Sequence, residues 1–203
     1  MTNPIANNAS NENNVIYIIK YCSQNLDTPL YLIWYTYNDE NATDCLLTFK
    51  TGDIFTAKSL VNLKKTIIQE IDNLSHSDYI LRCLNDFDPS ENDVSCTYDL
   101  NFVLTALNHK DLGIPTIEGF ATFINLYDDF INQNDKNSHL KIHRENILVR
   151  EVWDYYYEYI FWPRFNDKNK FEAWNRPPLV IDTEQLVIKL NEIIDSFEHK
   201  LKL

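Results

Sequence analysis

A chain of 203 residues that is 44% hydrophobic and 13% aromatic holds enough apolar material for one well-packed domain, which excludes a disordered acidic tail. Its formal net charge of −12, from 18 basic and 30 acidic residues, disfavours ordinary nucleic-acid binding, in which Lys and Arg neutralise phosphates. Three glycines in the whole chain nearly exclude a glycine-rich phosphate loop.

Residues 1–13 (MTNPIANNASNEN) carry no basic residue and no apolar run, so they fit neither a secretory nor a transit peptide. They are expected to form a frayed tail ahead of a single domain over 14–203. No stretch has the apolar length of a membrane span. Cys22, Cys45, Cys83 and Cys96 form no CxxC pair and read as free, buried thiols of a cytoplasmic protein.

Val15–Tyr21 and Leu30–Tyr37 are rich in Ile, Tyr and Trp and predict two strands separated by the turn formers Asn25, Asp27 and Pro29. Leu46–Lys50 predicts a third strand, and Thr51-Gly52-Asp53 a tight reversal into Ile54–Thr56. Ser59 is expected to cap a helix whose apolar positions are Leu60, Leu63, Ile67, Ile71 and Leu74. Tyr79–Leu84 is compatible with a short helix and Asn85–Asp93 with a polar loop. Leu100–Leu107 is apolar on consecutive positions, which fits a buried helix or a strand, with helix favoured. Thr116 is expected to cap a helix over 117–132 with Phe120, Phe123, Tyr127 and Phe130 inward, and a further helix is expected from about Arg144 to Phe161. In the last helix Asp182 and Gln185 have capping-box spacing, and Leu186, Leu190, Ile193, Phe197 and Leu201 share a face. Strands first and helices after them predict an α+β fold, a small N-terminal antiparallel sheet packed with a mainly helical C-terminal part.

Few residues suggest chemistry. His139 and His143 have the i, i+4 spacing of a helical metal pair but no glutamate placed between them, and no GxSxG turn or Cys–His signature is present. No catalytic, cofactor-binding or metal-binding residue is expected. The adjacent carboxylates Asp128 and Asp129 point in different directions on a helix. One of them is expected to cap or to pair with an arginine, and the other to be solvated.

Charge distribution says more. Residues 1–138 hold 19 acidic and 8 basic residues, whereas residues 139–203 are nearly balanced at 11 and 10. Asp78, Asp86, Asp88, Glu91, Asp93 and Asp99 cluster against Arg82 alone, which fits either a solvated loop or a docking surface for a basic partner. Asp39, Glu40 and Asp44 extend such a surface. In the segment WDYYYEYIFW, Trp153, Tyr156, Ile160 and Phe161 have core spacing. Tyr155 and Tyr159 are left to face outward or line a groove, as interface tyrosines do.

The stretch CLLTFKTGDIFTAKSLVNLKKTI (Cys45–Ile67) resembles the strand–turn–strand–helix segment of small bacterial immunity proteins, the partners of contact-dependent growth inhibition and other polymorphic toxins. FINLYDDF (Phe123–Phe130) resembles one of their helices, although Ile124 stands where that pattern has Trp, and the order YIFWPRF, tryptophan loop and IDTEQL helix is similar as well. The resemblance implies a cytoplasmic protein that binds a cognate toxin domain, a basic nuclease for example, and blocks its active site or substrate groove. It implies no individual contact residue. An acidic nucleic-acid mimic, an adaptor for another partner and an enzyme with an unfamiliar site remain the competing readings.

Overall fold

The computed structural model describes residues 16–37, 43–84, 87, 89 and 93–203. Among these residues, six strands form one mixed sheet: β1 (Ile16–Cys22), β2 (Leu30–Tyr37), β3 (Thr43–Leu46), β4 (Ile54–Ala57), β5 (Val94–Asp99) and β6 (Leu201–Lys202), in the order β5-β1-β2-β4-β6 with β3 also on β2. β1 and β2 are antiparallel, with Ile18 opposite Ile33, and β2 continues antiparallel to β3 and β4. The reversal into β4 turns at Gly52, whose φ of 96° lies in the left-handed region that glycine adopts without a Cβ clash.

The sheet is covered on both faces. Successive strand residues point to opposite sides, so Ile18, Tyr31, Ile33 and Tyr35 enter one core while Ile19, Tyr21 and Leu32 enter the other. The first core is closed by α1 (Leu63–Glu70) and α2 (Ser77–Cys83) through Leu63, Ile67, Tyr79 and Ile80. The second and larger one is closed by α3 (Leu100–Asn108), α4 (Ile114–Asn132), α6 (Ile147–Tyr156) and α9 (Thr183–Glu198). Burial on both faces explains why β1 and β2 read as almost continuous apolar runs.

The fold is α+β, as expected, but two strands alter the sheet. β5 lies parallel to β1 and β6 lies parallel to β4, so the sheet is mixed, and it takes its edges from outside the N-terminal region. Leu201 therefore belongs to a strand and not to the last helix. Two helix starts also differ. α1 begins at Leu63 with Asn62 at its cap position and no side-chain cap bond, so Ser59 does not cap it. α4 begins at Ile114 behind Gly113, with Pro115 in the first turn, where its missing N–H removes no hydrogen bond. Thr116 is thus inside the helix, buried, and its Oγ1 has no hydrogen-bond partner among the described residues.

The expected single helix from Arg144 to Phe161 is divided. α5 (Lys141–Arg144) precedes α6, which runs into a π-helical turn over Tyr157–Phe161, then α7 (Trp162–Asn166) and α8 (Lys168–Ala173). The last helix starts as predicted, with the Asp182 carboxylate accepting from the Gln185 backbone N–H at 3.0 Å. Of the cysteines, Cys45 and Cys83 are buried and Cys22 is half-buried, whereas Cys96 is exposed on the edge strand, against the expectation of a buried thiol; the four form no disulfide with one another. No helix among the described residues is long and apolar enough to cross a membrane.

Candidate functional site

A cleft of about 300 Å³ opens where α4 crosses the β5 side of the sheet. Strand alternation sends Tyr17 and Ile19 of β1, Trp34 of β2 and Cys96 and Tyr98 of β5 to the same side, and α4 closes the opposite wall with Asn125, Leu126 and Asp129. Asn125 and Asp129 are four apart and share one helical face. The position of α4 is fixed by Gln133, whose amide accepts from the Leu46 N–H at 2.8 Å and donates to the Leu46 carbonyl at 3.1 Å, as a neighbouring strand would.

Asp129 dominates the chemistry of the cleft. Its Oδ2 accepts from the Trp34 indole N–H at 3.0 Å, and it forms no ion pair among the described residues. Its neighbour Asp128 takes the available cation. Arg144 Nε donates to Asp128 at 2.6 Å, and its guanidinium lies 4.6 Å above the Trp153 ring. Burial pushes the Asp129 carboxyl up to about 6, and the negative charges of Asp44 and Asp128 add to that shift, against the lowering effect of the Trp34 hydrogen bond. The sequence expectation was thus correct for Asp128, which pairs with an arginine. It was wrong for Asp129, which is not solvated on an open helix face but forms part of a cleft wall.

This displacement makes a stability prediction. Asp129 holds its proton to higher pH in the folded chain than at its ordinary value of 3.8. Its contribution therefore favours folding below that value and is lost as pH rises through about 6. Asp129→Asn keeps an acceptor for Trp34 without the charge. Discounted for partial exposure, the variant is expected to be more stable than the parent by about 1–2 kcal/mol at neutral pH. In paired thermal melts the advantage disappears near pH 4; an equal advantage at both pH values would contradict this account of the carboxylate.

The cleft continues into an aromatic ridge. Asn125 uses both ends of its amide: Oδ1 accepts from Trp153 Nε1 at 2.7 Å, and Nδ2 donates to the Tyr157 hydroxyl at 2.9 Å. Tyr157 opens the π-helical turn, a local widening that recurs at functional sites. Its ring contacts those of Phe161 and Trp162. Phe161 stacks on Phe165 with ring planes 10° apart, and Arg164 ties α7 to α4 through both oxygens of Glu118. Trp162 is 51% exposed and Phe165 74%. Exposed neighbours of this size are the side chains that serve as interface anchors.

The residues singled out from the sequence are scattered relative to this site. Asp39, Glu40, Asp86, Asp88 and Glu91 lie outside the described residues. Asp44 sits on β3, accepts from Thr36 Oγ1 at 2.8 Å and is close enough to Asp129 to raise its carboxyl. Asp93 is exposed just ahead of β5. Tyr155 and Tyr159 pair with each other at 5.0 Å and hold a different part of the chain: the Tyr155 hydroxyl donates to the Pro177 carbonyl, and Tyr159 packs on Trp174. Tyr155 does line a groove, with Trp174 and Pro177, as the outward spacing suggested. Of the histidine pair, His139 places Nδ1 on the Lys136 carbonyl. Tyr17, Trp34, Tyr98 and Asp129 were not foreseen as a group; their only local trace was the Asp128-Asp129 doublet.

No family model matches the chain, and no curated protein matches it. Among solved structures, the chain is similar to the crystal structure of the SatS C-terminal domain in complex with bromine. The TM-score is 0.55, at 11% sequence identity, and the match covers 92% of each chain. At that identity the likeness is one of fold alone.

Proposed function

We propose that the chain is an immunity-type inhibitor, which binds a basic toxin domain and occludes that domain's active site or substrate groove. The observation that carries this reading is the half-buried carboxylate of Asp129, which faces a cleft and has no cation among the described residues to compensate it. A site of that kind is costly to the isolated chain and becomes favourable when a partner supplies the positive charge. The net charge of −12 adds attraction at long range, and the exposed Trp162 and Phe165 beside the cleft supply apolar anchors. The resemblance of Cys45–Ile67 to immunity proteins agrees with this reading.

Catalysis is the weaker reading, because the cleft places its carboxylate next to Ser95 and Cys96 with no histidine among the lining residues. A nucleic-acid mimic needs carboxylates that stand free in a regular row, whereas Asp128 and Glu118 are already neutralised by Arg144 and Arg164. The test is affinity capture from the source cells at moderate salt, followed by mass spectrometry. The inhibitor reading expects one basic polypeptide, retained through its C-terminal region. Retention of many unrelated nucleic-acid enzymes would replace it with the mimic, and retention of nothing would remove its support.

A further inference from the structure

We propose that the cleft between β1, β2, β5 and α4 is a guanidinium site that takes one arginine side chain projecting from the partner. The proposal rests on the partner-binding reading above and names the chemistry that the partner must present.

Three features select that group. Recognition of charge falls on Asp129, the one ionised carboxylate of the lining, while Asn125 uses its Oδ1 on Trp153 and one Nδ2 hydrogen on Tyr157. Trp34 occupies one position on Asp129 Oδ2, and no hydrogen bond reaches Oδ1 from the described residues, so the carboxylate keeps room for the forked donors of a guanidinium. Arg144 is held by Asp128 and Trp153 and does not fill the cleft. Tyr17, Trp34 and Tyr98 add aromatic rings to the remaining walls, beside Ile19, Ser95, Cys96 and Leu126. Tyr17 is 41% exposed and packs against Trp34 with ring centroids 5.3 Å apart, and Tyr98 lies on the opposite strand. Ring faces beside a carboxylate favour arginine over lysine, since a planar, weakly hydrated cation stacks while it donates, and a compact ammonium loses more hydration for a single acceptor.

Size and sign exclude other ligands. A volume of about 300 Å³ is at the lower limit of small-molecule sites and suits one side chain. A phosphate or carboxylate ligand would meet Asp129, with the charge of Asp44 acting at the same place and no cation among the residues that line the cleft.

The test uses the full chain and two probes, N-acetyl-arginine methylamide and N-acetyl-lysine methylamide, titrated while the Trp34 indole N–H resonance is followed by NMR. The arginine probe is expected to shift that resonance saturably, with a dissociation constant on the order of millimolar, and to bind about tenfold more tightly than the lysine probe. Asp129→Asn, which keeps the shape of the side chain, is expected to abolish the shift. Tyr17→Ala, at an exposed ring, is expected to weaken binding about threefold to tenfold and leaves the carboxylate in place. No saturable shift, equal binding of the two probes, or unchanged binding by Asp129→Asn would overturn the proposal. The titration needs no partner, so its failure removes the arginine assignment alone, whereas a failed capture removes the inhibitor reading alone.

Discussion

Phe197→Ala is expected to lower folding stability by about 3–5 kcal/mol, the largest single-residue loss in the chain. Phe197 is fully buried on α9, and its ring meets Tyr21 of β1 at 5.6 Å and Phe123, Phe130 and Tyr127 of α4 at 5.7, 5.8 and 6.3 Å. Removing it opens a cavity at the point where the sheet, the central helix and the last helix converge. Rigid aromatic neighbours cannot collapse into that space without leaving their rotamers. Urea denaturation of parent and variant measures the effect, with Ile188→Ala, half-exposed on the same helix, as a control expected to lie within about 0.5 kcal/mol of the parent. A loss below about 1.5 kcal/mol for Phe197→Ala would mean that the larger core is not organised around this ring.

The second large effect concerns association. Replacing both Trp162 and Phe165 with alanine is expected to weaken partner binding by about 2–4 kcal/mol while leaving the melting temperature nearly unchanged. Phe165 is mostly exposed and Trp162 half exposed, and their ring contacts lie at the surface of the ridge, so their truncation removes little of the buried core. In a complex they would be desolvated next to Tyr157, which connects them to the cleft through Asn125. Surface plasmon resonance against the captured partner separates the possibilities. A faster dissociation with little change in association places the ridge at the buried centre of the interface, and unchanged kinetics would remove it from the interface.

The elements that were legible in the sequence are those specified by local signals. The last helix carries its own start signal in Asp182 and Gln185 and its own inward face in Leu186, Leu190, Ile193 and Phe197, so neighbours were not needed to recognise it. The reversal at Gly52 and the order strand, strand, helix were equally local, but the expected strand over Leu46–Lys50 was misplaced: β3 ends at Leu46, and Thr48 and Phe49 beyond it make only isolated bridges. β5 was illegible because Ser95, Cys96 and Thr97 are polar and largely exposed; only its parallel pairing to β1, some 75 residues earlier, makes it a strand. β6 is two residues long and has no pattern to read. The π-helical turn left the spacing of Tyr156 and Ile160 unchanged, so the segment read as one uninterrupted helix.

The cleft failed to appear for a related reason. Trp34 and Asp129, the pair that defines it, are 95 residues apart, and no local pattern announces their hydrogen bond. An aspartate beside another aspartate in an acidic chain is normally a solvated group. Only the packing of α4 across β1, β2 and β5 shows that Asp128 and Asp129, both partly desolvated, have different environments, one paired with Arg144 and the other with no ion pair among the described residues. The expected core positions Phe120, Phe123, Tyr127 and Phe130 were correct because helical period alone assigns them to the inner face.

The proposed inhibition of a toxin domain is tested most directly by a stoichiometric titration of the captured partner's toxic activity with the purified chain. Activity is expected to fall linearly and reach zero at one chain per toxin domain, with a rate of inhibition that falls as salt is raised. A stable complex in which the partner keeps its full activity would contradict the proposed inhibition and would make the chain an adaptor instead.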